Sequence, residues 1–150
     1  CNLAVEAEMA IKVDADSNIL SVFPIIELHN FVFRAPQKSL PELIANNGLN
    51  RGLVSSAKSW QEPLEFYEKK LELLLEINGS EIDSGELWPM EGGPTSSLHW
   101  LKNHLADHDL KILPGNIILG GTALGLHKVQ AGDRIDVKVG GEKAVNCFIK

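Results

Sequence analysis

The sequence has few cysteines and no long apolar run, and each shortage excludes a class of protein. Its two cysteines among 150 residues, Cys1 and Cys147, lie at opposite ends. That spacing offers neither a zinc pattern nor a disulfide framework, so both are predicted to be free thiols. The longest apolar run, residues 19–28, is interrupted by Ser21 and Glu27, and it is shorter than the roughly 18 residues that cross a bilayer. No membrane span is predicted.

Basic residues are also in the minority. Twenty acidic against fourteen basic residues give a net charge of −6, and the basic residues form no cluster, so no nucleic acid partner is expected. The surplus of carboxylates instead suits a hard cation. The sequence also lacks a serine nucleophile elbow, a phosphate loop and a dinucleotide-binding fingerprint, which removes three further enzyme classes.

The remaining composition is that of one globular domain. With 44% hydrophobic and 23% charged residues, and with no repeat or linker, residues 1–150 are predicted to form a single domain. The chain begins at Cys1 rather than Met, from which we expect an upstream region to be missing. The given sequence does not indicate the cellular compartment, and a cytoplasmic location is the default expectation.

Alternating apolar and polar residues predict two long strands near the start of the chain. The segments 3–13 and 19–28 are joined by the polar turn 14–18, and together they are typical of a hairpin with a longer loop. A short helix with Pro41 in its first turn is expected to run through Leu43 and Ile44 and to end near residues 46–48. The dipeptide Asn78-Gly79 predicts a second, tight hairpin.

The rest of the chain predicts short strands around one main helix. Thr95 or Ser96 is expected to cap that helix, after a loop at 83–94 and with an apolar stripe of Leu98, Leu101 and Leu105. The other predicted strands are 52–56, 71–77, 81–84, 117–119, 135–139 and 145–149. About seven strands with one or two helices predict an α+β, mostly β fold, in which a mixed sheet curls into a barrel or roll.

Three glutamates are the most informative polar residues. Glu6 and Glu8 lie two apart on a strand, so their carboxylates point the same way, about 7 Å apart. Glu27 ends an apolar segment, where a lone carboxylate is costly to bury. If the hairpin pairs as predicted, the three approach one another and suit Mg²⁺ or Mn²⁺. Alternatively, all three are solvated residues of an outer strand or a strand end.

Several segments resemble, in the same order, the core motifs of the fumarylacetoacetate hydrolase superfamily, nearest its 2-keto-4-pentenoate hydratase and oxalocrotonate decarboxylase branch. They are VEAEMA (5–10), FPIIEL (23–28), LIANN (43–47), SLHWLKN (97–103), LPGNIILGGT (113–122), AGDRI (131–135) and AVN (144–146). The resemblance spans nearly the whole chain and implies a fold like the C-terminal domain of fumarylacetoacetase.

The resemblance also implies a chemistry. Glu6, Glu8 and Glu27 correspond to the carboxylates that hold the family's Mg²⁺ or Mn²⁺, which chelates a small 2-oxo acid or its enol. Hydration by a lyase is the preferred reaction, and decarboxylation and C–C bond hydrolysis are the alternatives. Members of the family commonly associate, so a homo-oligomer is expected.

Five other residues are candidates for the site. His29 is expected to share the face of the third glutamate, as a base or an extra ligand, and Asn47 matches a family position. Arg51, Gly121 and Thr122 are candidates to hold a substrate carboxylate. The alternatives are a surface histidine, a solvated arginine and a tight turn that requires glycine.

The sequence departs from the family pattern at three positions. Asn46 stands where an Asp is frequent, Asn30 where a carboxylate is frequent, and Gly120 where many hydratases carry Thr. An amide cannot gain or lose a proton as an acid does. A catalytically silent domain that binds a small acid or a partner chain, or a fragment that assembles with copies of itself, is therefore the rival hypothesis. The histidines near the predicted helix are interpreted as solvated: His99, His104 and His108.

Overall fold

Two antiparallel sheets organise the chain in this computed structural model, which describes residues 2–30, 39–56 and 70–150. The strands are β1 (Leu3–Val13), β2 (Ile19–Asn30), β3 (Asn50–Ser55), β4 (Glu72–Ile77), β5 (Ser80–Glu86), β6 (Ile117–Leu119), β7 (His127–Lys128), β8 (Arg134–Val139) and β9 (Glu142–Phe148). The first sheet has the order β3-β2-β1-β6, with β7 also on β1, and the second has the order β5-β4-β8-β9. The predicted α+β, mostly β fold with a curled sheet is confirmed, although its described strands pair only antiparallel.

The long hairpin of β1 and β2 forms as predicted. Its turn is closed by Asp14, whose Oδ1 accepts hydrogen bonds from the backbone N–H groups of Asp16 and Asn18 at 2.9 and 2.8 Å. Such an Asx turn lets a polar side chain satisfy the backbone that reverses direction. Strand β2 runs two residues beyond the predicted end, to Asn30, because β1 pairs with both added residues and β3 pairs with His29.

The core lies between the two sheets. Alternate residues of β1 enter it, and they pack with apolar residues of β4 and β8. On β1 these are Val5, Ala7, Met9, Ile11 and Val13. Since neighbouring residues of a strand point to opposite faces, the even-numbered residues of β1 face away from the core. The alternation of β1 would predict that this outer face is exposed to solvent. Ala4 and Ala10 on it are nevertheless fully buried.

Two helices are described, α1 (Leu40–Ala45) and α2 (Gly93–Ala106). Helix α1 begins as predicted, with Pro41 in its first turn, and it has a capping box between Ser39 and Glu42. It is followed by a 3₁₀ turn at Asn47–Leu49. None of the helices in the described ranges has the length and apolarity needed to cross a membrane.

The predicted start of α2 is wrong. Its N-cap is Gly92, in a left-handed conformation at φ 84, with Pro94 in the first turn, so neither Thr95 nor Ser96 caps it. Glycine adopts the left-handed conformation without strain, so the helix can begin directly after Gly92. A proline is well suited to the first turn of a helix. The loop predicted at 83–94 is shorter for the same reason, and because β5 continues to Glu86.

Other boundaries differ by a few residues. Strand β3 begins at Asn50 rather than residue 52, β8 at Arg134, and β9 covers Glu142–Phe148 rather than 145–149. Strand β7 was not predicted, because its two residues, His127 and Lys128, are too few for alternation to be recognised. The Asn78-Gly79 turn is confirmed, with φ values of 55 and 80, as expected for a tight hairpin. Cys147 is a free thiol, as predicted, and Cys1 lies outside the described residues.

Gly120 is required by close packing. A Cβ built there would lie 2.5 Å from Cζ3 of Trp88 and 3.0 Å from the backbone oxygen of Met9. We expect Gly120→Ala to destabilise the fold by about 1–3 kcal/mol, because a buried ring and a strand backbone must both move. Gly85→Ala is the control, since its nearest neighbour at 3.2 Å is the end of the flexible Leu124 side chain. Urea unfolding measures both variants, and equal costs would contradict the prediction.

Candidate metal centre

The outer face of the long hairpin carries four ionisable side chains in adjacent positions. Glu6 on β1 and Glu27 on β2 are register partners. Glu8 lies two residues along β1 from Glu6, and His29 lies two residues along β2 from Glu27, so all four point to the same face. The register that the turn sets therefore brings three glutamates and one histidine, which are separate in the sequence, together on one face of the hairpin.

Three of these side chains converge closely. Nε2 of His29 lies 3.2 Å from Oε2 of Glu6 and 3.3 Å from Oε2 of Glu27. One ligand atom from each of Glu6, Glu27 and His29 lies within 4.8 Å of the other two. His29 and Glu27 are each 7% exposed. Despite these distances, no hydrogen bond of acceptable geometry reaches Nε2 of His29 from any residue that the structure describes.

Two neutral donors hold the glutamates in place. Nδ2 of Asn50 donates to Oε1 of Glu27 at 2.6 Å, and the backbone N–H of Gly121 donates to Oε1 of Glu8 at 2.6 Å. Asn50 is brought there by an irregularity in the β2–β3 pairing, where Leu28 pairs with Gly52 and His29 with Asn50. A bulge of this kind re-aims a side chain. Neither interaction was predicted, because the partners lie 23 and 113 residues apart in the sequence.

Burial raises the pKa of the Glu8 carboxyl far above its usual range. Burial, a hydrogen bond with Glu27 and the charge of that carboxylate raise the pKa of Glu8 to about 9, although the N–H of Gly121 opposes the shift. Burial also raises the pKa of Glu6, and His29 opposes that shift. Burial first, and the neighbouring carboxylate Glu27 second, disfavour the charged forms of Glu6 and Glu8, so a positive charge at this site would be favourable. With a pKa of about 9, the Glu8 carboxyl is expected to carry a proton near neutral pH.

The cluster fits a divalent cation. Carboxylate oxygens are the ligands that Mg²⁺ and Mn²⁺ prefer, and a buried nitrogen without a hydrogen-bond partner points into the same space. Glu8, a residue that is 3% exposed, lies beside this group of three. A bound cation would replace the proton and relieve the repulsion among the carboxylates.

The remaining predicted residues lie outside this cluster. Arg51 is exposed at the bulge of β3, and Asn47 is exposed in the 3₁₀ turn at φ 52. Oγ1 of Thr122 accepts a hydrogen bond from the N–H of Leu124 at 3.0 Å, while the N–H of Gly121 is used by Glu8. Their roles stay predictions.

Two of the departures from the family pattern have local partners. Nδ2 of Asn46 donates to the backbone oxygen of Glu42 at 2.7 Å, at the end of α1. Oδ1 of Asn30 accepts from the N–H of Asn2 at 3.2 Å. The third departure, Gly120, has the packing reason given above. Both asparagine side chains therefore satisfy nearby backbone groups.

Comparison with known proteins gives the class of fold. No family model matches the chain. It is 27% identical over 133 residues to the 2-oxo-hept-4-ene-1,7-dioate hydratase of Escherichia coli, which covers 84% of this chain and 49% of that protein. It superposes with a TM-score of 0.86 and 21% identity on the 4-oxalocrotonate decarboxylase of Pseudomonas putida G7 complexed with magnesium and adipate, over 99% of this chain and 61% of that one.

Further solved structures extend the comparison. The same decarboxylase complexed with calcium and acetate gives a TM-score of 0.83 at 22% identity, over 99% of this chain and 60% of that one. A fumarylacetoacetate hydrolase family protein from yeast gives 0.63 at 17% identity, over 99% and 68%. The fold is thus that of fumarylacetoacetate hydrolase family proteins, and the resemblance predicted from the sequence is confirmed. The chain spans about half the length of the hydratase that it matches.

The raised pKa of Glu8 predicts how the free energy of unfolding depends on pH. Because its pKa is raised to about 9 from 4.5, the folded state binds more protons than the unfolded state between these values, and stability falls as pH rises through that window. Glu8→Gln keeps the shape and is always neutral. In chelator-treated protein, we expect the variant to gain on the order of 1–2 kcal/mol relative to the wild type between pH 6 and pH 8. Urea unfolding at both pH values measures this, and parallel pH dependences would contradict it.

Proposed function

We propose that this chain is the catalytic domain of a divalent-metal-dependent enzyme that acts on a small 2-oxo acid or its enol, by hydration. The observation that carries the proposal is the buried convergence of Glu6, Glu27 and His29, with Glu8 beside them, on the central hairpin of this fold. The similar decarboxylase is complexed with magnesium and a small dicarboxylate, and the similar E. coli protein is a hydratase.

Glu6, Glu8 and Glu27 would hold the cation, Mg²⁺ or Mn²⁺. When bound, the cation would polarise the oxygen of the 2-oxo group and acidify the neighbouring C–H bond. Asn50 and the N–H of Gly121 fix the orientation of two of the carboxylates. Such supporting hydrogen bonds are what keep a ligand set in position.

The exposure of the cluster favours one direction of approach. The Glu6 side chain is 21% exposed, whereas those of Glu27 and His29 are each 9% exposed. Substrate and water would therefore arrive on the Glu6 side, while the Glu27 side is closed by Asn50. Water next to a substrate held at the cation is what hydration requires.

The substrate carboxylate would be held by Arg51, with Thr122 and Asn47 as neutral donors. The guanidinium of Arg51 is exposed on β3, the strand that also supplies Asn50, and it can bind a carboxylate through two parallel hydrogen bonds. Gly121 would act through Glu8, because its N–H already donates there. For His29, the contacts with Glu6 and Glu27 favour a role at the cation over that of a base at carbon.

A second candidate is a domain that binds a small acid without converting it. The observation that favours it is Asn46, an amide engaged at the end of α1 at a position where the family resemblance leads us to expect an acid. The association of copies of the chain, expected from the sequence, remains a prediction in both cases. Turnover of an enolisable 2-oxo acid by the longest available form of the protein would exclude this candidate.

Cation binding is the first test of the proposed function. We expect Mg²⁺ and Mn²⁺ to bind chelator-treated protein, and Glu27→Gln to weaken binding by roughly 100-fold, because one charged ligand is lost. Glu72→Gln is the matched control, since Glu72 is an exposed strand residue of the second sheet. Calorimetric titration measures all three proteins. The proposal fails if the folded wild-type protein binds neither ion, or if Glu27→Gln binds as the wild type does.

Binding of a small acid is the second test. With Mg²⁺ present, pyruvate is expected to bind saturably, and Arg51→Gln to weaken it about 10-fold through loss of a charge-assisted hydrogen bond. Lys111→Gln removes an equal charge from an exposed site outside the cluster and controls for long-range electrostatics. Binding that is unchanged by chelator, or equally weakened in both variants, would contradict the assigned roles.

A further inference from the structure

His29 is the unusual member of the cluster. It is nine-tenths buried, its Nε2 has no hydrogen bond of acceptable geometry among the described residues, and that atom points at two carboxylate oxygens. A buried polar atom without a partner is rare enough in native proteins to require a reason. A histidine that only filled space on this sheet face would not need its ring nitrogen between two carboxylates.

The distances around Nε2 are those of ligands that share an ion. Metal bonds of about 2.1 Å at right angles separate neighbouring ligand atoms by about 3 Å. Nε2 lies 3.2 Å and 3.3 Å from the nearest oxygens of Glu6 and Glu27. These two distances, with all three ligand atoms within 4.8 Å of one another, are compatible with a single cation that contacts all three.

A ring nitrogen changes which cation such a site prefers. Oxygen-only sites suit Mg²⁺, whereas imidazole is a ligand for first-row transition ions, whose affinities for mixed nitrogen and oxygen sites rise along the series from Mn²⁺ to Cu²⁺. Two carboxylates and one imidazole that converge on one point form such a mixed set. Non-haem iron enzymes use a related set of two histidines and one carboxylate.

We propose that Nε2 of His29 is a ligand of the same centre, so that the site takes a divalent first-row transition ion in preference to Mg²⁺. This rests on the proposed function, since it assigns a fourth protein ligand to the cation centre proposed there. His29 would coordinate in its neutral form, whose unprotonated nitrogen offers a lone pair. It would then not be available to remove a proton from substrate carbon.

A pair of histidines elsewhere in the protein could also bind a transition ion, so it must be broken before this proposal is tested. His104 and His108 lie one turn apart on and after α2, with ring centroids 5.0 Å apart, and two histidines at this spacing can hold a transition ion on a helix surface. All measurements therefore use the full chain in a His104→Gln background, after treatment with chelator.

The test compares two metals in two variants. Co²⁺ is titrated by its visible absorption and Mg²⁺ by calorimetry, in His29→Gln and in His127→Gln. His127 is the matched control, because it is a partly buried sheet histidine that also contacts a carboxylate, Asp83 at 2.8 Å. We expect His29→Gln to weaken Co²⁺ about 10-fold or more and Mg²⁺ less than about 3-fold, and His127→Gln to leave the ratio of the two affinities unchanged.

A spectroscopic measurement needs no substitution beyond His104→Gln. With Mn²⁺ bound, pulsed electron paramagnetic resonance of the protein carrying histidine with ¹⁴N or ¹⁵N is expected to show coupling to one ring nitrogen. The absence of that coupling, or an equal loss of Co²⁺ and Mg²⁺ affinity in His29→Gln, overturns the inference while the proposed function stands on the Glu27→Gln result. If neither Mg²⁺ nor Co²⁺ binds, the inference and the proposed function fail together.

Discussion

Mutual repulsion among three carboxyl groups is the constraint on which this site depends. Glu6, Glu8 and Glu27 share one face of a hairpin, and two of them are almost wholly buried. Two unit charges 4 Å apart interact by about 4 kcal/mol at an effective dielectric constant of 20, so buried carboxylates that lie close together favour a compensating positive charge. Burial is the main cause of the raised pKa values of Glu6 and Glu8, and the charge of Glu27 adds to it. A proton, the donors of neighbouring residues or a cation must compensate.

The scaffold supplies that compensation from distant parts of the chain. Glycine at position 120 lets the backbone pass close to Trp88 and Met9, and this contact places the next N–H, that of Gly121, against Glu8. The bulge in β3 does the same for Asn50 and Glu27. Both donors are neutral, so they orient the carboxylates without cancelling their charge. The packing of the core thus determines the geometry of the cluster. The negative charge of its carboxylates is compensated only by a proton or a cation.

The sequence predicted the parts of this arrangement that depend on local order. Alternation and turn residues set the β1–β2 hairpin, and its register brings Glu6 opposite Glu27 with few other possibilities. The positions of Asn50 and Gly121 were not predictable, because they follow from a bulge and from a contact between residues 113 apart in sequence. The start of α2 was missed because a left-handed glycine outweighed two residues that usually cap helices. His29 was placed on the correct face, but its distances to two carboxylates required coordinates.

The same repulsion links the proposed function to stability. Buried carboxylates without a compensating positive charge lower the free energy of unfolding. A cation that binds only the folded state raises it again by mass action. Replacing the carboxylates with neutral residues would stabilise the metal-free fold and at the same time remove the site. Strain of this kind is typical of functional sites, which rest on well-packed surroundings. Here the surroundings are the apolar residues of β1 that pack between the sheets, directly behind the glutamates.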